Sequence, residues 1–194
     1  YEDALKISHS VLTIVEDRLH AGETGDVIGN DYINVILCGK PGTGKTSLAY
    51  ALGASLGMPV RTISMSKYSE EDTFEGKTKV ASGGFSFFYS PFLDVFENGG
   101  IAVLEEFNLI APGVIMGAIG QAIEKPFLLL RDGYKEVHRH PLCIVICTMN
   151  TGTQGSQEPS EAFTSRCPNN FVLDDPKRED FIKILMSRGH NRKN

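Results

Sequence analysis

The chain has 194 residues, which is long enough to bury one substantial core and favours a single main domain. Hydrophobic residues make up 41% of the chain and charged residues 22%, and no apolar run approaches the roughly 18 to 20 residues that a membrane span needs, so we expect no membrane span. The formal net charge is −5 with the acidic residues scattered, which argues against tight, non-specific binding to nucleic acid.

The first third of the chain predicts helix, strand, glycine-rich loop, helix and strand, in that order. Apolar residues at mostly three- and four-residue intervals over 4–19 predict an amphipathic helix, which residues 21–25 end. A short apolar run at 33–38 predicts a strand that leads into the loop, and helix-forming residues at 47–56 predict the second helix. Alternation over 60–65 is typical of a second strand.

The middle of the chain predicts an unpatterned segment followed by a buried strand. Residues 66–90 are rich in Gly, Ser and charge and show no clear period, and long ordered loops of this kind are often functional. A short helix is expected at 91–97. The continuous apolar run at 101–104 is typical of a strand that is covered on both faces, and it leads directly into Glu105 and Glu106.

A further helix, a hairpin and a strand are predicted next. Pro112 opens a helix with one apolar stripe. Residues 127–131 and 134–137 flank Asp132-Gly133, the two-residue signal for a tight hairpin turn. Another fully apolar strand is expected at 142–147, ending at Thr148-Met149-Asn150.

The alternation of strands with helices predicts an α/β fold, with a parallel central sheet in a three-layer αβα sandwich. In sheets of this kind, ligands bind beyond the carboxyl ends of the strands. The glycine-rich loop, Glu105, Glu106 and Asn150 are all expected at that edge, although they lie far apart in the sequence.

The glycine-rich loop matches the pattern G-x-x-x-x-G-K-[ST] in full, between a predicted strand and a predicted helix. Its glycines let backbone N–H groups turn toward phosphate oxygens, and the start of the helix adds a positive dipole end. Lys45 is expected to reach the outer phosphates, and the Thr46 hydroxyl is expected to hold Mg²⁺. A tight turn without a ligand would explain the glycines but not Lys45 and Thr46. The predicted phosphate-binding residues are Gly39, Pro41, Gly42, Thr43, Gly44, Lys45, Thr46 and Ser47.

Glu105 and Glu106 end the buried strand, where a P-loop enzyme places one acid near Mg²⁺ and another near the attacking water. Glu105 is predicted to hold the metal or one of its waters. Glu106 is predicted to polarise the water that attacks the terminal phosphorus. Paired acids at a strand end are often only solvated, but the glycine-rich loop in the same sheet favours the catalytic interpretation.

Two further side chains are candidates for the reaction. Asn150 is expected beside the outer phosphate, where its amide would orient the same water; the alternative is a strand-ending Asn that caps a turn. Arg166 is expected to lie away from its own site and to serve a neighbouring subunit, as an arginine finger does. An ordinary surface arginine is an equal alternative for Arg166.

The four cysteines, Cys38, Cys143, Cys147 and Cys167, lack the CxxC spacing of metal and redox sites. The first three lie in apolar runs, so we interpret the cysteines as buried, reduced thiols rather than disulfides or metal ligands. The first residues show no secretory signal pattern. Together these features predict a cytoplasmic protein.

The arrangement resembles the AAA+ ATPases, and within them the MoxR-like branch with the CbbQ, NorQ and GvpN type proteins. The matching pieces are the Walker A segment 39–46, the segment 70–76, the Walker B segment 101–108 and the stretch 147–166. This resemblance implies that Asn150 is sensor 1 and that Arg166 is an arginine finger that acts across a subunit boundary. It also implies that the predicted hairpin is the pre-sensor 1 insertion and that residues 66–90 lie on the pore side.

The same resemblance divides the chain into three parts. They are an N-terminal helix and linker at 1–24, a nucleotide-binding core at 25–175 and the start of a truncated helical lid at 176–194. We expect the rest of the lid, with its sensor 2 arginine, to be missing from this chain. Two motifs depart from the family pattern: Glu105 replaces the usual Asp, which predicts altered Mg²⁺ geometry, and Cys167 replaces the Phe that follows the finger arginine.

The function implied by the resemblance is ATP hydrolysis with ATP and Mg²⁺ as cofactors, in a hexameric homo-oligomer that remodels or assembles a protein client. One alternative is the motor subunit of a nucleic-acid-processing complex, similar to McrB-type translocases, which use GTP. The weak basic character argues against that alternative. Another alternative is a non-hydrolysing nucleotide switch created by Glu105.

Overall fold

The structure, a computed structural model, describes residues 2–24, 32–70, 72–81, 83–130, 135–152 and 161–187. In this part of the chain the strands are β1 Asn34–Gly39, β2 Val60–Ser64, β3 Gly76–Ala81, β4 Gly84–Tyr89, β5 Gly100–Glu105, β6 Phe127–Leu129, β7 Glu136–His138, β8 Cys143–Asn150 and β9 Asn169–Leu173. The helices are α1 Glu2–Thr24, α2 Lys45–Leu56, α3 Asp72–Glu75, α4 Pro91–Asn98, α5 Pro112–Val114, α6 Gly120–Glu124, α7 Glu161–Thr164 and α8 Arg178–Ser187. A 3₁₀-helical turn at Phe107–Leu109 follows β5, and a π-helical segment at Ile115–Ile119 joins α5 to α6.

The central sheet contains five parallel strands in the order β2-β5-β8-β1-β9. Parallel strands require crossover connections, and helices between the strands supply them here. The order puts β5, β8 and β1 in the interior of the sheet. Because these strands are parallel, their carboxyl ends meet at one edge. The predicted α/β sandwich with a parallel central sheet is confirmed.

Helices cover both faces of this sheet. On one face α1 and α2 pack against the strands, in a core cluster that includes Ile7, Val11, Val15, Leu48, Leu52, Ile101, Val103, Ile144 and Ile146. On the other face α4 and α6 pack, in a cluster that includes Phe92, Leu93, Phe96, Ala122, Ile123, Ala102, Leu104, Val145 and Cys147. Successive residues of β5 therefore enter opposite clusters, which explains why this strand is apolar throughout.

The first helix is longer than predicted. α1 runs through Gly22 to Thr24, although residues 21–25 were expected to end it. A single internal glycine lowers helix stability by only about 1 kcal/mol relative to alanine. The buried side chains of Ile7, Val11 and Val15 repeat every four residues and attach α1 to the sheet.

The prediction of an unpatterned loop at 66–90 is wrong for much of its length. After α3, the strands β3 and β4 form an antiparallel hairpin, in which Val80 pairs with Phe85. Phe87 and Tyr89 pack against the core, whereas Val80 and Phe85 near the tip are each 81% exposed. Because most of the hairpin lies away from the core, its sequence lacks the alternation that a half-buried strand shows.

The hairpin predicted at 127–137 is present as β6 and β7, which pair antiparallel. Its expected turn, Asp132-Gly133, lies outside the described residues. β9 was not predicted, because it is a short edge strand that begins with two asparagines. None of the helices in the described part of the chain combines the length and the apolar character that crossing a bilayer requires.

All four cysteines are free thiols. Cys143, Cys147 and Cys167 are buried, and Cys38 is half-buried. Desolvation by burial raises the pKa of the Cys167 thiol to about 12. These three buried thiols behave as small apolar side chains of the core.

Candidate functional site

The glycine-rich loop lies between the end of β1 and the start of α2. Gly42 and Gly44 have φ angles of 85° and 90°, in a region that residues with side chains rarely adopt. Gly44 is the N-cap residue of α2, and because glycine has no side chain it cannot accept a hydrogen bond from the first N–H groups of the helix. Because the first N–H groups of a helix have no partner within it, those of α2 can donate to an anion in the loop.

The first glycine of the loop, Gly39, allows a close approach of the chain. A Cβ atom on Gly39 would lie 2.5 Å from the carbonyl oxygen of Leu173 at the end of β9. Just beyond β9, Lys40 Nζ donates a hydrogen bond of 2.6 Å to Asp175 Oδ2 and forms an ion pair with it. The next residue, Pro176, lines the cavity beside the loop. The segment that follows β9 therefore holds one side of the loop.

Lys45 is the first residue of α2 and is only 7% exposed. Its Nζ donates hydrogen bonds of 2.9 Å to the carbonyl oxygens of Gly39 and Lys40. Desolvation by burial lowers the pKa of Lys45. No carboxylate among the described residues forms an ion pair with this ammonium group, so its charge is available to an anionic ligand.

Thr46 and Glu105 bring a hydroxyl and a carboxylate together. Thr46 Oγ1 donates a hydrogen bond of 2.5 Å to Glu105 Oε1. Thr46 lies in the first turn of α2, and Glu105 is the last residue of β5. Both groups are hard oxygen donors of the kind that Mg²⁺ prefers.

Glu106 has an unusual backbone conformation. Its φ and ψ angles are 55° and 38°, and no other non-glycine residue in the described ranges has a positive φ. This conformation costs about 1 to 2 kcal/mol for a residue with a side chain, and such residues often occur at functional sites. The next residue, Phe107, is fully buried and stacks on Phe163 with ring centroids 4.5 Å apart. The buried stack therefore stabilises a bend that turns Glu106 out of the strand direction.

Asn150 ends β8 directly beside the loop. It is in register with Gly39 of β1, and the N–H of Thr151 donates a hydrogen bond of 3.2 Å to the Gly39 carbonyl. From the other side, Asn108 Nδ2 donates a hydrogen bond of 3.3 Å to the main-chain oxygen of Asn150. Asn108 thus connects the segment after β5 to the end of β8.

These side chains surround a cavity of about 710 Å³, which falls within the usual size of small-molecule sites. Its lining residues are Pro41, Gly42, Thr43, Gly44, Lys45, Thr46, Ser47, Ser64, Glu105, Glu106, Thr148, Asn150 and Pro176. The cavity brings together seven of the eight predicted loop residues, the two acids and Asn150. Gly39 is not among the lining residues; it lies against Leu173 at the end of β9.

Three lining residues were not singled out from the sequence. Ser64 ends β2 in register with Glu105, and Thr148 lies two residues before Asn150 on β8, so both reach the edge that the candidates share. Pro176 follows β9, which was not predicted. Ser64 and Thr148 could have been identified from the sequence, because each lies at the end of a predicted strand.

Arg166 lies away from this cavity. Its carbonyl oxygen accepts a hydrogen bond of 3.1 Å from Asn34 Nδ2, at the amino end of β1, whereas the loop follows the carboxyl end of that strand. The five steps from residue 34 to residue 39 span roughly 17 Å at about 3.3 Å per residue. The Arg166 side chain forms an ion pair of 2.8 Å with Glu124.

The AAA domain family, in its dynein-related subfamily, matches residues 34–167. Midasin from Giardia intestinalis is 26% identical over 153 residues, which cover 78% of this chain and 3% of that protein. A candidate ATPase from Cytophaga hutchinsonii has a similar solved structure, with 17% identity and a TM-score of 0.69, and the match covers 100% of this chain and 59% of that one. The chain thus spans a small part of Midasin and a little over half of the bacterial protein.

The family match begins at β1 and ends just after Arg166, so it contains all the candidate residues of the site. At 17% identity, the likeness to the bacterial structure shows the fold, and that fold agrees with the parallel sheet order of this chain. The chain therefore belongs to the dynein-related subfamily of AAA domains, within the AAA-type ATPases.

Proposed function

We propose that this chain binds ATP with Mg²⁺, hydrolyses the ATP, and uses the turnover to remodel or assemble a protein client. The observation that carries the proposal is the contact between Thr46 and Glu105 in a cavity that Lys45, Glu106 and Asn150 also line. These side chains match the separate requirements of phosphoryl transfer: phosphate binding, metal binding and positioning of water.

Phosphate binding is assigned to the loop and the start of α2. The first N–H groups of the helix and the Lys45 ammonium group supply the positive charge that a triphosphate requires. Removal of water from Lys45 lowers its pKa, and a phosphate beside it would oppose that effect by favouring the charged form.

The residues present fit a magnesium ion. Thr46 and Glu105 would hold it, directly or through its waters, because they offer adjacent oxygen donors. When bound, Mg²⁺ neutralises charge on the phosphate oxygens. Glu105 stands where related AAA+ proteins usually have Asp, and its contact with Thr46 supports a metal-binding role for the longer side chain.

Hydrolysis is assigned to Glu106 with help from Asn150. Glu106 accepts a proton from water as the water oxygen attacks the γ-phosphorus. The bond between that phosphorus and the β,γ-bridging oxygen breaks, which releases ADP and inorganic phosphate. The Asn150 amide, held beside the loop by the β1–β8 register, orients the water.

The position of Arg166 supports assembly into a ring. Because it lies at the other end of β1 from its own loop, we assign it to the cavity of a neighbouring copy in a ring, as an arginine finger. By resemblance to AAA+ proteins, the ring is a hexamer. Arg166 would stabilise negative charge that develops on the phosphate in the transition state.

Contact with the client is assigned to the hairpin β3–β4. Its tip exposes Val80 and Phe85, two large apolar side chains that make little contribution to this chain's own core. Exposed apolar side chains in a cluster are typical of protein-binding surfaces. The free thiols of the chain support a reducing compartment such as the cytoplasm.

The proposal is tested with Glu106→Gln, which keeps the size of the side chain and removes its basicity. We expect MgATP binding to persist and phosphate release to fall about a hundredfold or more. Glu16→Gln, at an exposed position on α1, is the matched control and should leave both unchanged. Wild-type turnover by Glu106→Gln would contradict the proposed role. Preference for GTP with stimulation by DNA would identify a nucleic-acid motor instead.

A further inference from the structure

Two of the three nitrogens of the Arg166 guanidinium group are held by their own subunit. Its Nε donates a hydrogen bond of 2.8 Å to Glu124 Oε2, and its Nη1 donates one of 2.5 Å to the carbonyl oxygen of Ala162. Within the described ranges, the remaining nitrogen, Nη2, has no hydrogen-bond partner. The guanidinium group is therefore oriented by its own subunit and keeps one terminal nitrogen available for another acceptor.

The main chain of Arg166 is held as well. Asn34 Nδ2 donates to the Arg166 carbonyl oxygen at 3.1 Å and to the Ile123 carbonyl oxygen at 2.9 Å. Asn34 is 2% exposed and begins β1, so it is part of the rigid sheet. The buried amide of Asn34 thus connects Ile123, the residue before Glu124, to Arg166.

The end of α6 is fixed by a buried arginine. Arg139 Nη1 donates to the carbonyl oxygens of Ala122 and Ile123, at 3.2 and 3.3 Å, and its Nη2 donates to Asn34 Oδ1 at 3.0 Å. A cation at the carboxyl end of a helix satisfies carbonyl groups that have no partner within the helix. Arg139 therefore fixes the position from which Glu124 extends.

We propose that Glu124 is a positioning residue for Arg166, which aims the free Nη2 group of the guanidinium at the nucleotide of a neighbouring subunit. This inference rests on the proposed function of Arg166 as a finger in trans. Glu124 itself touches neither the substrate nor the reacting atoms, so it acts only through Arg166. The partner of the positioned group is the γ-phosphate region of MgATP bound to a second copy of this chain.

The test is a double-mutant cycle in the full chain, with steady-state phosphate release and ATP affinity measured for each variant. Glu124→Gln should lower turnover roughly fivefold, because a partly exposed ion pair contributes a modest positioning energy. Arg166→Ala should lower turnover further. The double variant should match Arg166→Ala alone, because residues that act through one group are not additive. Affinity for ATP should stay unchanged, and Glu161→Gln, an exposed carboxylate on α7, is the control.

A mixing experiment separates positioning from general destabilisation. Glu106→Gln subunits lack turnover but keep an intact finger, so adding them to Glu124→Gln subunits should raise turnover above the sum of the two samples. If Glu124→Gln damages only its own site, mixing will not raise turnover, and the inference is overturned. Unchanged or increased turnover for Glu124→Gln alone, or multiplicative effects in the cycle, would also overturn it. A normal rate for Arg166→Ala would instead contradict the proposed finger.

Discussion

Thr46 and Glu105 are separated by 59 positions in the chain, and their side chains meet through a hydrogen bond of 2.5 Å. They come from α2, which follows β1, and from β5, and these two strands are separated in the sheet by β8. The parallel direction of all three strands brings the hydroxyl and the carboxylate to the same edge. The oxygen pair that fits Mg²⁺ is thus a product of the sheet order rather than of proximity in sequence.

Replacement of Thr46 by Val should separate metal binding from fold stability. Val keeps the branched shape of the side chain and removes the hydroxyl that contacts Glu105. We expect the Mg²⁺ concentration for half-maximal turnover to rise about tenfold or more, as is typical when groups around a metal are lost. Thr46→Ser keeps a hydroxyl and is the control. Equal magnesium titrations for wild type and Thr46→Val would argue against the metal site.

Replacement of Lys45 by Ala should remove nucleotide binding. The buried ammonium group is the charge available to the phosphates, and loss of one partner of a buried charge pair costs about 3 kcal/mol. This corresponds to an affinity loss of about a hundredfold, measurable by titration with a fluorescent ATP analogue. Lys67→Ala, which removes an exposed lysine, should bind normally. Retained affinity in Lys45→Ala would show that the loop does not bind phosphate through this residue.

Two glycines of the loop should differ in their importance for stability. Ala at Gly39 would place a Cβ atom 2.5 Å from the Leu173 carbonyl oxygen, so β9 must shift, and we expect a loss of about 3 kcal/mol in the free energy of unfolding. Ala at Gly42 meets no atom within 4 Å and suffers only from its φ of 85°, so we expect a loss of about 1 to 2 kcal/mol. Urea unfolding measures both. Equal losses would contradict the packing of β9 against the loop.

Two phenylalanines on the same face of the hairpin β3–β4 should respond differently to replacement by Ser. Phe85 is 81% exposed, so Phe85→Ser should change the free energy of unfolding by less than about 0.5 kcal/mol. Phe87 packs against the core, so Phe87→Ser should lower it by roughly 1 to 2 kcal/mol. Thermal and urea unfolding give the comparison. A larger effect at Phe85 would mean that the hairpin tip is covered by its own chain.

The features that could be predicted from sequence are those that form a consecutive motif or that follow directly from the end of an apolar strand. The loop from Gly39 to Thr46 is recognisable because strand, glycines, lysine and helix are consecutive. Asn150 could be placed near the loop because two apolar strands of a parallel sheet end at one edge, and the register of Asn150 with Gly39 agrees with that reasoning. The roles assigned to these side chains remain predictions.

The features that were missed depend on contacts between distant segments. The left-handed backbone of Glu106 has no local cause, since Glu rarely adopts it; the buried stack of Phe107 on Phe163 stabilises it. The hairpin β3–β4 lacked a pattern because its two faces are largely exposed. Glu124 could not be connected with Arg166 from the sequence, because their contact depends on how α6 packs beside the start of β1.

The end of β9 contacts the loop at Gly39, and the segment after it contacts Lys40, contributes Pro176 to the cavity wall and continues into α8. A displacement of α8 can reach the loop mainly through the packing of Leu173 on Gly39, because the ion pair between Lys40 and Asp175 is exposed and contributes little. Thermodynamic linkage makes such coupling reciprocal: if tilting α8 toward the cavity strengthens nucleotide binding by a given factor, nucleotide binding favours that tilt by the same factor.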